Sequence, residues 1–131
     1  MYNFLKPAII GLLLTVWASA DVRIDEVLVR RKEGRMNLRV NISNPSSVTQ
    51  KGPIKITLYA RPDSGSAWEQ VKVWTNIAKL AAGNRVARDF FDQNNARLKE
   101  IADAPAFECR AVVQAPGYPV QEEIGVFHPD P

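Results

Sequence analysis

The run Met36-Asn37-Leu38-Arg39-Val40-Asn41-Ile42 alternates apolar and polar side chains without interruption. Successive side chains of a β-strand point to opposite faces of the sheet, so this spacing predicts a strand with one buried and one exposed face. A single buried face is typical of an antiparallel sheet that packs against a second layer. The run therefore indicates a β-rich protein with a layered core.

Strand-like segments flank this run and are separated by turn-forming residues such as those at 43–47 and 61–66. Apolar and polar side chains alternate imperfectly over residues 22–29, which is expected of a first strand near a sheet edge. The other strand-like segments are 53–60, 68–75, 85–91, 107–113 and 120–126. About seven strands with mostly hairpin-length links predict an all-β fold, an antiparallel sandwich of immunoglobulin or fibronectin type III shape.

One segment is richer in helix-forming residues than its neighbours. Asp92 is predicted to cap a short helix near 93–103, where Ala, Arg, Leu, Lys and Glu favour the helical backbone. Leu98 and Ile101 would form the inward side of this helix, and Pro105 would end it. The predicted fold is therefore a sandwich with one short helix.

Two consecutive segments resemble a known family. Leu38-Arg39-Val40-Asn41-Ile42-Ser43-Asn44 and the later Gly52-Pro53-Ile54-Lys55-Ile56-Thr57-Leu58-Tyr59 are similar to bacterial CARDB-type modules. Those modules also run from an alternating strand through an Asn-containing turn into a strand that ends in Leu-Tyr. The resemblance spans nearly all of residues 21–128. It implies a fibronectin-like sandwich with binding or scaffolding roles and no catalytic residue.

The first twenty residues have the composition of an export signal. Lys6 precedes an apolar run over residues 8–17, and Ala18-Ser19-Ala20 fits the small-x-small rule for signal peptidase. The apolar run is shorter than the roughly 20 residues that a membrane-spanning helix needs, which favours cleavage after Ala20 over a retained anchor. No cysteine stands directly after the cleavage site, so we expect an exported, soluble protein in the periplasm or outside the cell, and no lipoprotein.

Removal of these 20 residues from the 131 of the chain leaves 111 residues. That length supports one hydrophobic core, predicted as a single β-sandwich domain over residues 21–128 with a tail at 129–131. The charged fraction of 24% and the hydrophobic fraction of 46% are ordinary for a globular protein.

The counts of reactive residues argue against an enzyme. One cysteine excludes an internal disulfide, and one histidine excludes a histidine-based metal cluster. Cys109 lies on an apolar strand face and is predicted to be buried, with an intermolecular disulfide as the alternative. His128 lies in the tail next to proline, where a catalytic base is not expected. We therefore expect no catalytic residue, no metal and no cofactor.

Charge is distributed unevenly along the chain. Residues 21–61 carry nine Lys and Arg against four Asp and Glu, a net charge of +5, whereas residues 62–131 carry −3. The basic residues predicted to contact a partner are Arg30, Arg31, Lys32, Arg35 and Arg39. Such a patch suits an acidic protein, an anionic polysaccharide or a membrane surface. The alternative is a solvated hairpin that keeps a sheet edge from aggregating.

Three aromatic residues form the second candidate surface. Tyr59, Trp68 and Trp74 are predicted on neighbouring strands, with rings that would form an exposed strip able to bind a sugar chain or a protein. The alternative is that the rings face the core, or that the helix near 93–103 covers them.

These features predict an exported, non-enzymatic binding or scaffolding module that makes protein–protein contacts in the cell envelope. One alternative is a small carbohydrate-binding module that uses the aromatic strip. Another is an inhibitor of an exported hydrolase that presents the proline-rich loop at 115–119. An envelope or extracellular protein is the expected partner and a polysaccharide a second option. Nucleic acid is not expected, because the chain is predicted to be exported.

Overall fold

The computed structural model describes residues 20–32 and 35–128, so the predicted signal peptide (apart from Ala20) and the predicted tail lie outside it. Eight strands are described: β1 Arg23–Lys32, β2 Arg35–Ser43, β3 Gln50–Arg61, β4 Glu69–Leu80, β5 Arg85–Phe91, β6 Glu108–Gln114, β7 Gln121–Ile124 and β8 Val126–His128. A 3-10 turn at Asp92–Asn94 and helix α1, Ala96–Ala102, connect β5 to β6. Within the described ranges, no helix is both long and apolar enough to cross a bilayer.

The strands form two four-stranded sheets, which confirms the predicted β-sandwich. Sheet A has the order β5-β2-β1-β8 and sheet B the order β4-β3-β6-β7. Neighbouring strands are antiparallel except β1 and β8, which run parallel. The prediction that the first strand lies near an edge is wrong, because β1 lies between β2 and β8 inside sheet A.

The inner faces of the two sheets supply the core. The predicted inward positions of β2 are all buried, and so are those of β3 and β6. These buried residues are Met36, Leu38, Val40, Ile42, Ile54, Ile56, Leu58, Ala60, Cys109, Ala111 and Val113. Each fully buried Val, Leu, Ile or Met contributes roughly 1.5–3 kcal/mol relative to an exposed position, so this layer is the main source of stability.

A bulge explains the imperfect alternation of β1. The pairing of β1 with β2 shifts between Ile24 and Glu26. One extra residue moves the inward set from even to odd positions, because the side-chain period of a strand is two. Accordingly Val22 is buried before the bulge, whereas Val27 and Val29 are buried after it.

The single strand predicted over 120–126 is divided at Gly125. Here the chain leaves sheet B as β7 and enters sheet A as β8. A Cβ on Gly125 would lie 2.2 Å from Cys109 Sγ and 2.9 Å from Val29 Cγ2. Only glycine fits this crossing point, where the Gly125 N–H also donates to the Cys109 carbonyl oxygen at 2.9 Å. Counted as one interrupted strand, β7 and β8 give the predicted total of about seven.

Buried Asn44 joins the loops at one end of the sandwich. Its Nδ2 donates to the carbonyl oxygens of Val48 at 2.8 Å and Leu80 at 3.0 Å. Its backbone N–H donates to the Asn84 carbonyl at 3.0 Å, and its carbonyl accepts the Gly83 N–H at 2.8 Å. The link between β2 and β3 is thereby fastened to the turn between β4 and β5.

The predicted helix is present but shorter, and its cap is a different residue. Asn95 Oδ1 accepts the Leu98 N–H at 3.0 Å and caps α1, whereas Asp92 begins the preceding 3-10 turn. The residue that caps is the last one with extended backbone before the helix, and that residue is Asn95. Leu98 and Ile101 are buried, as predicted.

Candidate interaction surface

The predicted basic hairpin is partly engaged within the protein. Arg39 on β2 donates twice to Asp89 on β5, from Nε to Oδ1 at 2.9 Å and from Nη2 to Oδ2 at 3.1 Å. These hydrogen bonds lower the pKa of Asp89, and the charge of exposed Arg30 acts in the same direction. The side chains of Arg31, Lys32 and Arg35 lie outside the described part of the chain. Arg39 therefore has a carboxylate partner in the sheet itself.

The three predicted aromatic residues do not form one strip. Trp74 pairs across the strands with buried Ile56 and lies on the inner side of sheet B. Its ring contacts Phe90 edge-on, with centroids 6.4 Å apart. Tyr59 lies between two buried neighbours on β3, Leu58 and Ala60, so its ring points to the outer face.

The expectation of a common face for Trp68 and Trp74 fails for a local reason. The pairing of β3 with β4 shifts between Leu58 and Tyr59, which breaks the period-two spacing along β4. Trp68 thus packs over outward-facing residues of β3 and β6, while Trp74 packs against the core. The structure brings Tyr59 and Trp68 together on the outer face of sheet B and separates Trp74 from them.

Two arginines hold Tyr59 and Trp68 in a stacked arrangement. The guanidinium carbon of Arg61 lies 4.0 Å from the centroid of the Trp68 ring. That of Arg110 lies 4.8 Å from the Trp68 ring and 5.0 Å from the Tyr59 ring. Such cation–π contacts contribute roughly 0.5–2 kcal/mol each, depending on their desolvation. Tyr59, Arg61, Trp68 and Arg110 are called the cation–aromatic cluster below.

Carboxylates at the margin of the cluster orient its arginines. Arg61 Nη2 lies 2.7 Å from Glu108 Oε1, and its Nε–H donates to the same oxygen at 2.7 Å. Arg110 Nη1 lies 4.0 Å from Glu122 Oε1. Within the described structure, the buried Nε–H of Arg110 has no hydrogen-bond acceptor. Arg110 therefore retains unused donor capacity although its side chain is only 24% exposed.

An exposed apolar margin continues the cluster along β7. Ile124 pairs with Arg110 across β6 and β7, so both side chains lie on the outer face of sheet B. Ile124 and Val120 are each 53% exposed, which is high for large apolar side chains. Aromatic, cationic and apolar groups thus adjoin one another on a single sheet face.

Sequence reasoning missed Arg61 and Arg110. Arg110 occupies an outward position of an alternating strand, which is visible in the sequence, whereas Arg61 is predicted in the turn at 61–66 and is instead the last residue of β3. Their meeting depends on the β3–β6 register, in which Arg61 pairs with Glu108 and Tyr59 pairs with Arg110. That register joins residues about fifty positions apart and has no local sequence signature.

The proline-rich loop predicted as an alternative contact is tied to the body of the protein. Tyr118 Oη–H donates to Asp21 Oδ1 at 2.6 Å, which lowers the pKa of Asp21 and raises that of Tyr118. Gln50 Nε2 donates to the Pro116 carbonyl oxygen at 3.0 Å. Gln121, just beyond the loop, donates from Nε2 to the Val22 carbonyl oxygen. These bonds hold the loop against β3 and the segment around Asp21.

The Cys109 thiol lies on the inner side of sheet B, away from this surface. Cys109 is buried, as predicted, and burial raises the pKa of its thiol to about 12. The His128 side chain lies outside the described residues. Across the described residues, no three His, Cys, Asp or Glu side chains come together as metal ligands.

Comparisons with known proteins give distant structural likenesses. A Paenibacillus cycloisomaltooligosaccharide glucanotransferase is 14% identical with a TM-score of 0.45, over 83% of this chain and 14% of that one. A Bordetella pertussis protein described as ApaA is 13% identical with a TM-score of 0.45, over 80% and 88% of the two chains. The ligand-binding region of serine-glutamate repeat protein A of Enterococcus faecium is 8% identical with a TM-score of 0.43, over 84% and 97%.

This chain spans only about a seventh of the glucanotransferase. TM-scores below 0.5 at such identities carry no functional argument. No protein-family model matches the sequence. A search of curated proteins finds no match either. The resemblance to CARDB-type modules stays a prediction.

Proposed function

We propose that this protein is an exported, non-enzymatic β-sandwich that binds a protein partner in the cell envelope through the outer face of sheet B. The observation that carries the proposal is the cation–aromatic cluster with exposed Ile124 beside it. Trp, Tyr and Arg are the residues most enriched at the energetic centres of protein interfaces. Bound partner groups would meet a preordered surface, which reduces the entropy lost on association.

The stacking geometry favours a protein over a sugar as the partner. A carbohydrate platform needs aromatic faces that are free to stack on the sugar. Here the Arg61 guanidinium lies 4.0 Å from the Trp68 centroid, and Trp74 packs on the core side. The partly exposed Arg110 guanidinium, whose Nη1 lies as far as 4.0 Å from Glu122, suits a carbonyl or carboxylate acceptor at an interface.

Export is proposed from the N-terminal segment and fits the contacts of Asp21. Cleavage after Ala20 would keep Asp21 and its hydrogen bond to Tyr118. The Asp21 N–H also approaches Asn44 Oδ1 at 3.4 Å. Cleavage further into the chain would remove both contacts.

Site-specific photo-crosslinking tests the proposed binding face. A photoreactive residue replaces Ile124 on the outer face of sheet B or, as the control, exposed Ala87, which pairs with Asn41 on sheet A. We expect a covalent adduct with an envelope protein from position 124, and its loss when Trp68→Ala is added. Position 87 should give no such adduct. Adducts from position 87 alone, or adducts that ignore Trp68→Ala in a folded variant, would contradict the proposal.

A further inference from the structure

The outer face of sheet B also carries a pair of like charges. Lys51 of β3 and Lys79 of β4 lie directly opposite each other, and both are exposed. The adjacent pair, Gln50 and Leu80, is buried, so the alternation places both lysines on the outer face. Like charges at directly opposed positions destabilise an antiparallel pair. The free protein therefore places two like charges at opposed positions on the face proposed to bind a partner.

The backbone next to this pair fixes it in position. A Cβ on Gly52 would lie 2.2 Å from the Ala78 carbonyl oxygen and 2.9 Å from that of Ile77. The backbones of β3 and β4 thus approach closely beside Lys51, and the register shift between Lys51 and Ile54 lies at the same point. A slip of one strand past the other, which would separate the lysines, would break this fit.

A third lysine extends the positive surface without a compensating acid. Lys55 is exposed on the same side of β3 and pairs with Gln114. In the described ranges, the ion pairs are formed by five arginines, Arg23, Arg39, Arg61, Arg97 and Arg110, and none by these lysines. Lys51, Lys55 and Lys79 are called the lysine face below.

We propose that the lysine face binds an acidic segment of the protein partner, an inference that rests on the proposed function above. Partner carboxylates would neutralise the charges of Lys51 and Lys79. Binding would then be favoured because it removes the electrostatic repulsion between them in the unbound protein. Lys55 and Tyr59 are four residues apart on β3, about 13 Å along an extended strand. One partner surface of ordinary size can therefore cover the lysine face and the cation–aromatic cluster together.

The charge pattern favours an acidic protein segment over a polysaccharide or a membrane. Glu122 pairs with Val112 and lies exposed on the same face, and Glu108 adjoins Arg61. A uniform polyanion or an anionic membrane that covered the face would meet these carboxylates. A protein can place acidic residues at the lysine face and other groups at the cluster.

Binding of a ten-residue oligoglutamate peptide to the full chain tests the inference. In fluorescence anisotropy at low salt, Lys51→Gln with Lys79→Gln should weaken binding about five- to tenfold, the scale of two exposed ion pairs. The charge-matched control, Arg85→Gln with Lys99→Gln, should change it less than about twofold. Equal weakening by both variants, or none by the first, would overturn the inference.

Two further experiments distinguish failure of this inference from failure of the proposed function. Heparin or phosphatidylglycerol vesicles that bind more tightly than oligoglutamate, with the same lysine dependence, would overturn the protein assignment. Trp68→Ala should abolish the crosslink at position 124 while it weakens oligoglutamate binding less than Lys51→Gln with Lys79→Gln does. If the lysine substitutions have no effect while the crosslink at position 124 forms, only the acidic segment is refuted. If no crosslink forms at position 124 with Trp68 intact, the binding face itself is refuted.

Thermal unfolding tests the repulsion directly. Lys79→Glu converts the opposed pair into an attractive one, so the melting temperature should rise by about 1–5 °C while oligoglutamate binding falls. Lys55→Glu makes the same charge change opposite Gln114 and should not raise the melting temperature. A melting temperature that falls with Lys79→Glu, or rises equally with Lys55→Glu, would contradict the repulsive pair.

Discussion

At the scale of single residues, Gly125 shows how one position links both sheets. The chain crosses from sheet B to sheet A at Gly125, where its backbone passes close to Cys109 and Val29. A glycine removes the side chain that would collide there, and its N–H still bonds to the Cys109 carbonyl. The buried thiol is therefore explained by packing, with its raised pKa a consequence of burial.

Gly125→Ala should lower the free energy of unfolding by about 1–3 kcal/mol, because the added methyl group overpacks a core that cannot expand freely. Urea unfolding measures the loss. Gly65→Ala is the matched control and should be close to neutral, since its Cβ would meet only Asp63 Oδ1 at 3.4 Å. In a double-mutant cycle, Cys109→Ala should recover part of the loss. Strictly additive effects would refute the contact with sulfur as the cause.

At the scale of secondary-structure elements, side chains and bulges decide which strands meet and with which faces. The pair Arg39–Asp89 fastens β5 to β2, and Arg97 joins α1 to Glu69 at the start of β4. The register shifts in β1 and in the β3–β4 pair re-aim the side chains that follow them. The set of side chains on the outer face of sheet B is therefore determined by these register shifts as well as by the regular alternation of the strands.

Arg39–Asp89 gives a testable dependence on pH. The pKa of Asp89 is lowered in the folded state, so its contribution is present above the unfolded pKa and lost as the pH falls through the folded pKa. Between about pH 6 and pH 2, Arg39→Gln should therefore lose less stability than wild type in urea titrations. Arg85→Gln, an exposed change on the same strand as Asp89, should follow the wild-type profile. If the free energy of unfolding of wild type and of Arg39→Gln depends on pH in the same way, the Arg39–Asp89 pair does not contribute to stability as proposed.

Regular elements were the part of this fold that local patterns could predict. The alternation from Met36 to Ile42 predicted a buried face correctly, and the core residues of β3 and β6 followed from the same rule. The sequence pattern predicts one face for Trp68 and Trp74, because a bulge leaves no trace in hydrophobic spacing. The meeting of Arg61 and Arg110 with Trp68 depends on long-range strand pairing, which no local pattern encodes.

At the scale of the whole molecule, the described chain is a sandwich with two distinct outer faces. Sheet A carries Arg39 paired with Asp89, whereas sheet B carries the cation–aromatic cluster and the lysine face. The excess of positive charge in residues 21–61 is therefore shared between both faces, because β1 and β2 lie in sheet A and β3 lies in sheet B. The cation–aromatic cluster and the lysine face both lie on sheet B, whereas the strands of the predicted basic hairpin, β1 and β2, lie in sheet A.

The segment around Asp21 belongs to the same scale, because Asp21 contacts Asn44 and Tyr118, which lie far along the chain. We predict that the exported protein begins at Asp21, and the intact mass of protein recovered from the periplasm or medium measures this. Ala20→Arg breaks the small-x-small rule and should leave the full-length chain uncleaved. A mature form that begins beyond Asp21 would contradict the prediction.

The most direct test of the central claim compares the same substitution on the two outer faces. Once the partner crosslinked at position 124 is purified, calorimetry gives its affinity for wild type, Ile124→Asp and Ala87→Asp. Both variants add one negative charge at an exposed position, on sheet B and sheet A respectively. We predict that Ile124→Asp weakens binding at least about tenfold while Ala87→Asp changes it less than about twofold. Equal effects, or a larger loss with Ala87→Asp, would contradict binding through sheet B.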